Sequence, residues 1–101
     1  MNSQDVLEQV AKGMVVAGLY KDVGTAIRAL AVEQVERKIA AYREKVQGFE
    51  RKYGHSLEEH SHLLEGKASM EEEEEWMEWK GATLMLEAWQ RALQEVLESA
   101  S

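Results

Sequence analysis

The sequence predicts an all-α protein, and three observations carry that expectation. No proline interrupts any of the 101 residues. Apolar residues recur at steps of three and four over long stretches, and most glycines and capping residues fall between those stretches.

The first helix is expected over residues 4–17. Val6, Leu7, Val10, Ala11, Met14, Val15 and Leu19 share one stripe, and Gly18 suits the stop. Asp22 offers a side-chain oxygen to cap a second helix over residues 23–53, with Gly24 and Gly48 as its weak points. Within it Val32, Val35, Ile39, Tyr42, Val46, Phe49 and Tyr53 alternate steps of three and four, which is a heptad seam. Val23, Ile27, Leu30 and Ala31 follow another phase, so the first helix is expected to cover that end. At about 1.5 Å per residue the second helix is roughly 45 Å long, too long to be enclosed by a chain of this size.

Gly54 suits a left-handed stop, and Ser56 with Glu59 has capping-box spacing for a short third helix over residues 57–65, before Gly66. Ser69 with Glu72 repeats the device for a fourth helix over residues 70–98. That helix opens with Glu71 to Glu75, negative charge at the positive end of the helix dipole. Trp79, Ala82, Leu86, Trp89, Leu93 and Val96 then step by three and four, flanked by Trp76, Met77, Leu84, Met85 and Leu97. This face is broader than a two-stranded seam needs.

Charge is segregated. Residues 23–53 hold seven basic and four acidic side chains, a balance of +3; residues 56–101 hold twelve glutamates against Lys67, Lys80 and Arg91, a balance of −9. An antiparallel hairpin of the long helices brings Arg43, Lys45, Arg51 and Lys52 to the end that carries Glu71 to Glu75. Such exposed pairs set register, at about 0.2–1 kcal/mol each, while apolar burial supplies the stability. A hairpin leaves half of each wide stripe in water. One helical domain over residues 1–101 is therefore expected to assemble into an oligomeric helical bundle, as a homodimer or higher oligomer, or to cover a different protein.

Several function classes are disfavoured. The chain has no cysteine, which removes thiol catalysis, disulfides and cysteine metal sites and fits the cytoplasm. No long apolar run or signal-like N-terminus marks a membrane or export. A net charge of −7 argues against a general nucleic-acid binder. No nucleophile grouping, phosphate loop or triad pattern is visible, so no enzyme is expected.

His55, His60 and His62 cluster near Glu58, Glu59 and Glu65, and Glu59 with His62 has the Glu-x-x-His spacing of di-iron bundles, with Glu33 as a conceivable further ligand through a dimer. The competing reading, solvated polar residues around a turn, outweighs it because no second Glu-x-x-His is present. No metal and no cofactor is expected. Trp76, Trp79 and Trp89, with Tyr42, Phe49 and Tyr53, read as core or interface before they read as a ligand box. The expected interface comprises the α2 seam (Val32, Val35, Ile39, Tyr42, Val46, Phe49, Tyr53) and the α4 positions Trp76, Trp79, Leu86, Trp89 and Leu93, where α2 and α4 are the second and fourth helices.

The run Gly18-Leu19-Tyr20-Lys21-Asp22-Val23-Gly24-Thr25-Ala26-Ile27-Arg28-Ala29-Leu30 resembles a stretch of small prokaryotic antitoxins of toxin–antitoxin pairs, where a Gly-x-Tyr turn leads into a helix carrying Ala-Ile-Arg. Tyr42-Arg43-Glu44-Lys45, the run from Phe49 to Glu59 and Trp76-Met77-Glu78-Trp79 extend a looser likeness to short antitoxin-like helical proteins. The N-terminal DNA-binding strand of ribbon-helix-helix antitoxins has no room before the first helix. What the resemblance implies is a long amphipathic helix that covers a small toxin. The expected function is a non-enzymatic protein-binding module of antitoxin-like kind; the alternatives are a homo-oligomeric scaffold and a metal-binding bundle.

Overall fold

The computed structural model describes residues 3–98. They form four helices, α1 Ser3–Val16, α2 Val23–Tyr53, α3 Leu57–Leu64 and α4 Met70–Glu98, and no strand occurs among the described residues. The all-α expectation holds. α2 and α4 have the expected bounds, whereas α1 lies one residue earlier than 4–17 at both ends and α3 stops one residue short of 65.

Backbone geometry and hydrogen bonds explain the two differences at C-terminal ends. Gly18 adopts φ 82°, and its N–H donates to Val15 O while that of Leu19 reaches back to Met14 O, each at 2.9 Å. This paired closure draws Ala17 into the turn. At the end of α3, Glu65 has ψ 114°, so the helix cannot continue through it. The Lys67 N–H then closes onto Leu64 O at 3.0 Å, with Gly66 at φ 69°.

The starts are capped as the residue types require. Asp22 Oδ1 accepts from the Thr25 N–H at 2.7 Å, and this bond to the charged form holds the carboxyl below its ordinary pKa. Ser56 Oγ accepts from the Glu59 N–H at 3.2 Å. At α4 the box is reciprocal: Ser69 Oγ accepts from the Glu72 N–H at 3.2 Å, and Glu72 Oε1 accepts from the Ser69 N–H at 3.1 Å. Gly54, at φ 70°, ends α2 and donates to Glu50 O at 2.8 Å.

α1 packs on α2, where Ala11 and Ala26 are both fully buried. Side chains this small let two helix backbones approach closely. α4 packs on α2 and α3. Along α2 and α4, Lys52 meets Glu75, Phe49 stacks on Trp79, and Ile39 and Ala40 border one cleft with Gln90 and Leu93. Val35, Ile39, Trp79 and Ala82 are the buried apolar residues of this contact region. The molecule is elongated, 59 × 30 × 20 Å, with a radius of gyration of 19.2 Å, against about 13 Å for a compact chain of this length.

The charge segregation is only partly used. Lys52 Nζ lies 2.5 Å from Glu75 Oε1, and Lys45 Nζ lies 4.0 Å from Glu78, which stands outside the glutamate run. Among the described residues, Arg43 and Arg51 join no ion pair. Glu71 to Glu74 stay exposed at the helix start.

Candidate functional site

The structure separates the expected interface residues by depth. Val35, Ile39 and Trp79 are buried within the single chain, and Trp79 is only 1% exposed. Val32, Tyr42, Val46, Phe49, Tyr53, Trp76, Leu86, Trp89 and Leu93 are half-buried. The two seams thus cover a large part of each other, and the deepest positions offer a partner no surface in this conformation.

At the α2–α3 corner four kinds of ring meet. Trp79 stacks on Phe49 and Tyr53, with centroids 5.5 and 5.7 Å apart, and His60 lies 5.1 Å from Trp79 and 4.2 Å from Tyr53. His55 Nε2 and His60 Nδ1 share a hydrogen bond of 2.8 Å. One ring must donate and the other accept, so the bond needs an unprotonated nitrogen. The expectation of solvated histidines fails at His60, which is 6% exposed. It sits between Leu57 and Leu64 at steps of three and four, on the apolar face of α3, and that spacing was the available signal.

Burial lowers the His60 pKa first, and the nearby His55 lowers it further, while Glu75 and Glu72 pull the other way. Glu75 itself is held below the ordinary carboxyl range, mainly by its bond to Lys52. Glu59 and His62, the Glu-x-x-His pair, are exposed, and His62 Nδ1 lies 3.9 Å from Glu65 Oε2. Glu33 is engaged by Arg37 at 2.6 Å. Among the described residues no group of three or more His, Cys, Asp or Glu stands close enough to hold a metal ion.

The tryptophans have three different environments. Trp76 Nε1 donates to Ser61 Oγ at 2.6 Å, and Ser61 in turn donates to Leu57 O at 2.8 Å, tying α4 to α3. The Lys80 ammonium lies 5.0 Å from the centre of the Trp76 ring. Trp89 Nε1 is buried without a hydrogen-bond partner among the described residues. The link through Ser61 escaped the sequence reading because a serine fifteen residues from a tryptophan carries no periodic signal.

Large apolar side chains remain outside. Val6 and Val10 on α1, Leu19 after it, and Met70, Met77, Leu84 and Leu97 on α4 are all exposed. No protein-family model matches the chain, and no curated protein or solved structure matches it. Among the described residues no helix is long and apolar enough to cross a membrane.

Proposed function

We propose that the chain is a cytoplasmic, non-enzymatic protein-binding module in which α2 and α4 form an antiparallel hairpin that presents apolar helix faces to a protein partner. Unused surface carries this reading. A compact monomer of this mass exposes about 5,800 Å², whereas this chain exposes 7407 Å². The surplus, roughly 1,600 Å², is about twice what one partner contributes to a standard interface. Its apolar part is concentrated on helices, the form in which one helix recognises another.

Self-association and an antitoxin-like cover over a small toxin are two forms of the same activity; the second draws on the Gly18 to Leu30 resemblance. The test is light scattering coupled to size exclusion, on protein purified from its own host. A homo-oligomer or a stoichiometric second protein is expected. A lone monomer at high micromolar concentration, with nothing bound, overturns the reading.

A further inference from the structure

The outward side of α4 carries a second seam. Met70, Met77 and Leu84 stand at seven-residue steps and are 79%, 63% and 55% exposed. They lie roughly 140–180° around the helix from the buried Trp79. Between and beyond them, Gly81 and Ala88 are exposed on the same side, and a Cβ added at Gly81 would meet nothing within 4 Å. Glycine inside a helix weakens it; close approach of another helix gives the small side chain a use. Glu74 and Arg91 flank this line, both exposed, and neither joins an ion pair among the described residues.

We propose that this face docks on α4 of a second copy of the chain, antiparallel about a two-fold axis. The proposal rests on the protein-binding reading and names its partner. One register satisfies packing and charge together. Leu84 sits over the partner's Gly81, Met77 over the partner's Ala88, and Glu74 against the partner's Arg91; the two residue numbers of each pair have the same sum, as antiparallel helices require. The two-fold repeats each contact, so large side chains meet small ones twice and two ion pairs close the ends. A parallel pair would instead set one Glu71 to Glu75 run beside the other. The surplus surface is ample for such an interface.

Sedimentation equilibrium on the full chain tests this with Glu74→Arg, Arg91→Glu and the double exchange. Each single reversal turns both ion pairs into repulsions and should raise the dimer Kd roughly tenfold at low salt, and the double exchange should restore it. Both positions are exposed, so folding is not at stake, and far-UV circular dichroism checks it. The chain has no cysteine, so Met77→Cys with Ala88→Cys provides an independent readout. Oxidation should yield a covalent dimer, since these positions lie too far apart on one helix to bridge within a chain. A dimer indifferent to the reversals and not cross-linked at these positions overturns the α4 face and leaves the protein-binding reading standing. A monomer that binds a different protein does the same. A monomer that binds nothing overturns both.

Discussion

Trp79→Ala is the sharpest test of the core. The side chain is 1% exposed and contacts Phe49, Tyr53 and His60 at centroid distances of 5.1–5.7 Å. Truncating a buried tryptophan costs about 3–5 kcal/mol. The three surrounding rings are rigid and come from two elements, so they cannot collapse into the void, which places the expected loss near the upper end, about 4–5 kcal/mol. The total stability of a domain this size is about 5–15 kcal/mol. With a urea slope of about 1.5 kcal/mol/M the midpoint should fall by about 3 M. Far-UV circular dichroism at one fixed low protein concentration measures it, because any self-association makes the midpoint concentration-dependent. Trp89→Phe is the internal contrast. It removes a buried N–H that has no partner, and relief of that desolvation offsets most of the lost ring area, so stability should change by less than about 1 kcal/mol. If Trp79→Ala loses less than about 1.5 kcal/mol, or Trp89→Phe loses as much as Trp79→Ala, the assignment of the core to the Trp79 ring cluster is refuted.

Other outcomes follow from the same structure. His60 has a folded pKa below its ordinary 6.5, so the unfolded chain binds the proton more readily. Stability is then full above 6.5 and declines as pH falls from there towards the folded value; thermal melts should show this slope, and His60→Phe should flatten it. A second decline, from Glu72 and Glu75 with lowered pKa values, should begin only as pH falls through about 4.5. Ser69→Ala removes the side-chain half of the α4 capping box, the Ser69 Oγ that accepts from the Glu72 N–H, and should cost about 1 kcal/mol in urea unfolding. Gly48→Ala, within α2 and facing open space, should stabilise by about 0.5–1 kcal/mol. Gly54→Ala, at φ 70°, should destabilise by about 1 kcal/mol.

Local signals made the helices legible. Asp22, Ser56 and Ser69 act on the nearest free N–H groups, and Gly54 takes a backbone conformation that other residues resist, so their consequences lie within four residues of themselves. Of the three ends misjudged by one residue, the two C-terminal ones, at Ala17 and Glu65, were settled by turn hydrogen bonds. The candidate sites were less legible. Trp79 and Trp89 stand on one stripe with the same spacing, yet one is enclosed by three rings and the other leaves its N–H unpaired. Exposed Met77 and Leu84 read as flanks of one broad face, and only the packing of α2 on the Trp79 side divides that face in two.

By itself the sequence determined the helical class, the bounds of α2 and α4, their caps and the separation of charge along the chain. Each of these depends on periodicity or on groups a few bonds apart. The tertiary structure decided which stripe is consumed internally, that His60 enters an aromatic cluster while His62 stays in water, and that Lys45 serves Glu78 rather than the glutamate run. Those outcomes turn on the rotation and offset of one helix against another. A shift of one residue along a helix turns its side chains by about 100°, and no local pattern records which rotation the packed rings select.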